Sequence, residues 1–377
     1  MRIALLTRRF DSAGGGTERD LIVTAKYLRA MGHQVTIFAD EIRGATIDWD
    51  VRRVGSGPRL GRALSLMRFA WTAAPTARRA GTDLVLSFAR CVGADIMRSG
   101  GGAHASYLRA ARKWRGEFGA TAMRLSPYHQ VQMLVERQAF QSPGLKRVIA
   151  VSNFVRDDLI REFGLRPEKT GTIYNGVDLD RFRPTEDPSE RAAIRQKFVL
   201  PASARVVAFV GNGFARKGLG FLIEAWPLVA GGAFLLVVGA DRQTEKFARR
   251  AHALNVGGRV VFTGPQADVA AIFHAADAFA MPSLFEPFGN VVMEAMASGL
   301  PAMTSAFSGV AEVIPPSMRG FRVDNPDDVG EVALRLGALF DSRASLAAEA
   351  RSTAEKFTWT RYAKELNALI ESISGEG

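Results

Sequence analysis

Short apolar runs alternate with longer amphipathic stretches along this chain. Ile3–Thr7 and Val35–Ala39 read as strands on either side of a helical pattern from about Thr17 to Met31. Leu84–Ser87 and Val148–Ser152 read as later strands. The second half repeats the alternation. Strand Val206–Val210 precedes helix Leu219–Leu228, and strand Phe234–Val238 precedes helix Thr244–Leu254. Strand Val260–Thr263 then precedes helix Val269–Ala275, and strand Ala278–Met281 leads to a helix carrying Glu294. Such alternation implies parallel sheets, and two such halves imply two doubly wound α/β domains. Ligands of these sheets sit at the carboxyl ends of the strands. The join is expected at Asp178–Pro188, where proline and charge replace the apolar pattern. Trp359–Ile373 reads as a terminal amphipathic helix.

The chain has 377 residues, enough for two domains with good cores. An apolar content of 47% and a mean hydropathy of +0.01 fit a globular protein. The single cysteine, Cys91, excludes an internal disulfide and fits a reducing compartment. The opening apolar run, closed by Arg8 and Arg9, is too short for a signal peptide. No stretch approaches 18 uninterrupted apolar residues, so no membrane span is expected. Charge is uneven. Residues 1–184 hold 30 Lys and Arg against 17 Asp and Glu, an excess of +13, whereas 185–377 hold 19 against 21, an excess of −2. The first half alone is thus suited to an anionic partner. Composition does not choose among nucleic acid, anionic lipid and phosphorylated glycan.

Candidate chemistry concentrates in Glu286-Pro287-Phe288-Gly289-Asn290-Val291-Val292-Met293-Glu294, which runs on to Ser298-Gly299-Leu300-Pro301. Eight positions separate the two acids, about two helical turns. If a helix begins near Gly289, Glu286 lies in the loop before it and Glu294 on its second turn. Loop amides and the helix N-terminus then form an anion site between them. One carboxylate can accept hydroxyls from a ribose and the other from a hexose, with a diphosphate between. Gly14-Gly15-Gly16-Thr17, after the first strand, can approach a phosphate closely. It is not a dinucleotide fingerprint, because Arg19 stands where the third glycine belongs. Asp20 either orients an acceptor or solvates the first helical turn. After Val210, Arg216 and Lys217 precede another helix, and cations there would stabilise a diphosphate leaving group as its charge develops.

The Glu286–Glu294 string resembles the E-x7-E motif of family 4 retaining glycosyltransferases, which have the GT-B fold. Val151-Ser152-Asn153, Tyr174-Asn175-Gly176-Val177-Asp178 and Phe262-Thr263-Gly264 extend the likeness. Gly15 to Asp20 and Phe214 to Gly218 look most like the lipopolysaccharide core glucosyltransferase group. The resemblance implies two Rossmann-like domains facing across a cleft. Residues 1–180 would form an acceptor-side domain, with the helix 359–377 packing back on it, and 185–358 a nucleotide-sugar domain. It implies donor contacts from Gly15, Gly16, Gly264, Phe288, Gly289, Asn290, Val291 and Glu294. Lys217, Arg216, Glu286 and His104 would carry catalysis. Many members have an earlier arginine where this chain has Gly211-Asn212-Gly213, so Arg216 either replaces it or leaves a clamp of one cation.

The implied reaction is glucose transfer from UDP-glucose to an anionic glycan or lipid-linked acceptor, with retention. No cofactor beyond the UDP-sugar co-substrate, no metal and no nucleic acid partner are expected. Asp48-Trp49-Asp50 and Asp178-Leu179-Asp180 are read as solvated. The implied location is cytoplasmic, with peripheral contact at the inner face of the plasma membrane. His104 follows the glycine run 100–102 and is the one histidine of five given a role; the other four carry no expected chemistry. Arg109, Arg112, Lys113 and Arg115, interleaved with Tyr107 and Trp114, fit either a membrane-surface helix or a solvated one. A UDP-sugar 2-epimerase of the same fold stays open, as does a family 4 transferase acting on a different glycan or small-molecule acceptor. So does a non-catalytic anion binder, although intact Glu286, Glu294 and Lys217 argue against decay of the site.

Overall fold

The structure, a computed structural model, describes residues 1–12, 14–55, 61–185, 187–229 and 231–375. Two compact units form. One is Met1–Asn175 with the C-terminal stretch from Trp359, and the other is Gly176–Thr358. The crossings therefore fall at 175/176 and 358/359, not within 178–188 or at 180/185. The proline-rich stretch belongs to the second unit, where Phe182 is buried against Phe273 and Arg351 donates to the Phe182 carbonyl. Proline and charge there mark a surface segment, not a boundary.

The first unit runs β1 (Arg2–Asp11), α1 (Gly16–Ala30), β2 (Gln34–Arg43), β3 (Val51–Arg53), α2 (Arg62–Arg79), β4 (Leu84–Ser87), β5 (Ile96–Ser99) and α3 (His104–Leu125). It continues with α4 (Pro127–Phe140), β6 (Arg147–Ala150), α5 (Asn153–Phe163) and β7 (Thr170–Thr172). The second unit runs α6 (Pro188–Lys197), β8 (Arg205–Val210), α7 (Leu219–Ala225), β9 (Ala233–Val238), α8 (Thr244–Ala253), β10 (Val260–Gly264), α9 (Val269–Ala275) and β11 (Ala278–Met281). Then come α10 (Asn290–Ala297), β12 (Ala302–Ser305), β13 (Arg322–Val323), α11 (Val329–Asp341) and α12 (Arg343–Glu355). Finally α13 (Trp359–Gly375) returns to the first unit.

Among the described residues the first sheet has seven strands, ordered β3-β2-β1-β4-β5-β6-β7, and the second has six, ordered β10-β9-β8-β11-β12-β13. Every pairing is parallel. Strand side chains alternate between faces, so the apolar run of β1 serves two cores. Ile3 and Leu5 pack with Leu21, Ala25 and Leu28 of α1 and Tyr362, Leu366 and Ile370 of α13. Ala4 and Leu6 pack on the other face with Phe69, Ala73 and Ala77 of α2. In each unit the strand order reverses beside the first strand, at β1/β4 and β8/β11. That switch point is where a doubly wound sheet opens a crevice at its carboxyl edge.

Candidate functional site

In the second unit, β8 and β11 are neighbours, so the loops that follow them lie side by side. Leu284 N–H donates to the Arg216 carbonyl at 2.8 Å, and Arg216 returns a guanidinium bond to the Phe285 carbonyl at 2.6 Å. This brings Lys217 Nζ to 3.1 Å and Arg216 to 3.0 Å from the same Glu286 oxygen. Burial pushes the Glu286 carboxyl up, but Lys217 and then Arg216 outweigh it and hold the group below its ordinary range. Two cations on one carboxylate leave an excess positive charge in the cluster. The sequence assigned Glu286 to a sugar and the cations to a diphosphate; the structure joins all three.

Two glycines make this approach possible. A β-carbon on Gly211 would stand 2.8 Å from Lys217 Cδ and Cε, so Lys217 reaches Glu286 only across a bare backbone. Gly218 has φ +84, and a β-carbon there would overlap the Pro282 carbonyl.

The Glu286 loop is pinned from below. Glu286 N–H donates to Phe307 O at 2.9 Å, and Val310 N–H donates to Phe288 O at 2.7 Å. The 307–310 segment escaped sequence reading; Ser308-Gly309 was its only local cue. The Phe288 side chain is buried, so only its main chain can meet a ligand. Gly289 precedes α10, Asn290 and Val291 form its first turn, and Glu294 is buried on the second turn. Gly264 ends β10, where its carbonyl accepts from Gly239 N–H at 3.1 Å. These residues all belong to the carboxyl edge of one sheet. Met281 Sδ lies 3.3 Å from Lys217 Nζ, a neighbour with no sequence cue.

Of the D-x-D strings, Asp50 pairs with Arg52 at 3.0 Å and accepts from the Thr36 hydroxyl. Asp178 caps the Asp180 and Arg181 amides. Among the described residues no three His, Cys, Asp or Glu side chains gather as a metal set.

In the first unit, Gly15 precedes α1 and Gly16 opens it, and a β-carbon on either would meet nothing within 4 Å. Asp20 is not a solvated first-turn acid. It sits on the second turn, is buried, and pairs with the buried Arg98 at 2.9 Å, where Asn175 also holds it. His104 opens α3, and its main-chain N–H donates to Glu136 at 2.7 Å. His104 Nε2 lies 2.8 Å from His129 Nδ1, with the rings stacked 5.0 Å apart. His129 thus joins the one histidine singled out from sequence. A cavity of about 460 Å³ opens here, lined by Arg8, Arg90, Arg98, Gly101, His104 and Tyr128 among others.

Burial, then His129 and Arg90, push the His104 imidazole down to about 4. Burial, Arg62 and Arg115 lower His129. A depressed histidine binds fewer protons folded than unfolded between its two values, so stability falls as pH drops from about 6.5 toward about 4. His104→Gln is expected to shrink the loss of Tm between pH 7 and pH 5 by about 2–4 °C. Equal acid dependence in the two proteins, measured by scanning calorimetry, would contradict the assignment.

The basic segment is α3, interrupted at Gly116 (φ 70). Arg109, Arg112, Lys113 and Arg115 are exposed, as are Phe118 (90%) and Leu125 (73%). Arg109 is tied to Glu162 and to the Ser106 hydroxyl at 2.7 Å, and Arg112 lies 3.5 Å from Glu117. No helix among the described residues is long and apolar enough to cross a membrane.

Two parallel Rossmann-like sheets, each with a switch point beside its first strand, match the GT-B fold of glycosyltransferases. Family models agree: "Glycosyltransferase Family 4" matches residues 14–181 and "Glycosyl transferases group 1" matches 204–342, together most of the chain. The chain belongs to the family 4 glycosyltransferases with the GT-B fold. It resembles the crystal structure of WaaG, a glycosyltransferase involved in lipopolysaccharide biosynthesis, with a TM-score of 0.82 and 23% identity over 98% of this chain and 99% of that one. Anabaena Alr3699/HepE in complex with UDP-glucose matches with a TM-score of 0.75 and 21% identity over 99% and 100%. In sequence, a D-inositol 3-phosphate glycosyltransferase of Salinispora tropica is 34% identical over 58% of this chain and 49% of its own length. The matches thus span about half the length of such curated relatives.

Proposed function

We propose that this protein transfers glucose from UDP-glucose, with retention and without a metal, to an anionic glycan of the lipopolysaccharide-core type. The observation that carries this reading is the Glu286–Arg216–Lys217 cluster beside the α10 N-terminus. The likeness to WaaG supports the glycan class, and the likeness to a UDP-glucose complex supports the donor. The Salinispora relative's name supports a phosphorylated acceptor.

In the reaction the C1–O bond to the diphosphate breaks while the acceptor oxygen bonds C1 from the same face. The acceptor proton passes to the departing diphosphate. Lys217 and Arg216 stabilise the charge gathering on that leaving group, with the amides of Gly289, Asn290 and Val291 beside it. Glu286 holds both cations in place and accepts a sugar hydroxyl. Glu294 accepts the ribose hydroxyls, while Gly15, Gly16 and Gly264 leave room for the nucleotide and its phosphates. Asp20 contributes to acceptor binding through Arg98, and His104 contacts sugar from the first unit.

A hydrolysis and transfer screen across UDP-, GDP- and ADP-sugars tests the reading. UDP-glucose is expected to turn over fastest, with turnover rising on addition of a lipopolysaccharide-core acceptor. Conversion of UDP-sugar to its 2-epimer without acceptor would establish epimerisation instead. Glu294→Gln is expected to weaken UDP binding by about 1–3 kcal/mol through lost charged hydrogen bonds. Unchanged affinity by calorimetry would remove Glu294 from the site.

The exposed α3 cations and Phe118 support reversible docking on anionic membrane, at about 1 kcal/mol per basic side chain. Neutralising Arg109, Arg112, Lys113 and Arg115 together is expected to abolish sedimentation with anionic vesicles while sparing turnover on a water-soluble acceptor. Lost turnover with intact sedimentation would place these residues on the acceptor instead.

A further inference from the structure

The cavity in the first unit holds more unused hydrogen-bonding capacity than a packed core needs. Arg98 is 1% exposed, and its Nε has no hydrogen-bond partner among the described residues. The Nε of Arg8 is in the same state. Both residues line the cavity. A buried N–H without an acceptor is costly, so the guanidiniums at this cavity wall are not saturated by the protein's own acceptors.

The charges point the same way. Arg98 faces Asp20, Arg90 faces Glu136 at 2.9 Å, and Arg8 and Arg68 share Asp40 at 3.6 and 2.8 Å. Four guanidiniums therefore stand against three carboxylates. Both imidazoles are held down in part by neighbouring arginines, the mark of a positive field. The glycine loop is fixed by Arg90, which donates to Ser99 Oγ at 2.9 Å and Gly102 O at 2.8 Å. A β-carbon on Gly101 would meet nothing within 4 Å, so this backbone is open. Donors thus come from β1, β5 and α3, three separate elements. That suits a tetrahedral oxyanion, whereas a planar carboxylate needs only one guanidinium fork. A volume of about 460 Å³ holds a sugar as well as its phosphate.

We propose that this cavity binds a phosphate monoester carried on the acceptor sugar, seated by Arg8 and Arg98 with the His104–His129 pair against it. The inference rests on the transferase reading for the identity of the ligand as an acceptor, but phosphate binding by these first-unit residues can be measured by itself, with UDP affinity read beside it.

The test uses the full chain with UDP present at saturation, following the ring proton signals of the histidines by NMR. The probes are inorganic phosphate, glucose 6-phosphate, glucose and phosphatidylglycerol vesicles. Both phosphate probes are expected to shift the His104 and His129 signals saturably and to raise the His104 titration midpoint, glucose 6-phosphate at lower concentration. Arg8→Gln should weaken glucose 6-phosphate about tenfold or more, with Arg8→Lys intermediate and the Tm of both near wild type. Glucose acting as well as glucose 6-phosphate would overturn the proposal. So would an unchanged response in Arg8→Gln, or vesicles that reproduce the shift. UDP affinity is read in the same samples, so failure of the donor site and failure of this one appear as separate results.

Discussion

Lys217→Ala is expected to lower kcat by about 10²–10³-fold with little change in KM for the donor. Lys217 lies 3.1 Å from Glu286 at the switch point of the second sheet, and Arg216 remains to hold that carboxylate when it is gone. The fold should therefore survive. Under the proposed mechanism, what disappears is a cation matched to the further charge that gathers on the diphosphate as it departs. Steady-state kinetics with thermal melts of both proteins check this. A rise in KM alone would make Lys217 a simple binding residue, and a Tm drop of many degrees would make it structural.

Gly218→Ala is expected to cost about 3 kcal/mol or more of stability and to take activity with it. A left-handed backbone disfavours any β-carbon by about 1–2 kcal/mol. Here that carbon would also sit 2.8 Å from the Pro282 carbonyl carbon. Relief requires parting the Arg216–Lys217 loop from the Glu286 loop, which Leu284 N–H and Arg216 hold together. Urea unfolding measures the loss. A variant within about 0.5 kcal/mol of wild type would show that the loops are not locked as described.

Strands buried on both faces were plain in the sequence. Leu84–Ser87 and Ala278–Met281 appear with the bounds their apolar runs suggest. β1 and β2 extend further, to Asp11 and Arg43, because Arg9↔Glu41 and Asp11↔Arg43 pairing continues past the apolar core. β12 was missed since Ala-Met-Thr-Ser carries no run of β-branched or aromatic residues. The 18-residue α2 went unassigned; Pro75 lies inside it.

The candidate site divides along the same physical line. Gly211–Gly218 and Glu286–Glu294 are local strings that follow single strands, so their residues stand together in sequence as in space. The first-unit cavity is assembled from β1, α1, α2, β5, α3 and α4 and the loops after β4 and β5, and no spacing pairs Arg8 with Arg98 or His104 with His129. The solvated alternative for Asp20 failed for the same reason: its buried partner Arg98 is 78 positions away.

Retaining transfer from a UDP-sugar at the Glu286–Lys217 site is decided by the configuration of the first product. UDP-glucose is incubated with the protein and EDTA, without acceptor, and the released sugar is followed by proton NMR before its anomers equilibrate. Slow release of α-glucose with UDP is expected, at a rate unchanged by EDTA and lost in Lys217→Ala. β-Glucose appearing first, a strict metal requirement, or release that survives Lys217→Ala would contradict it.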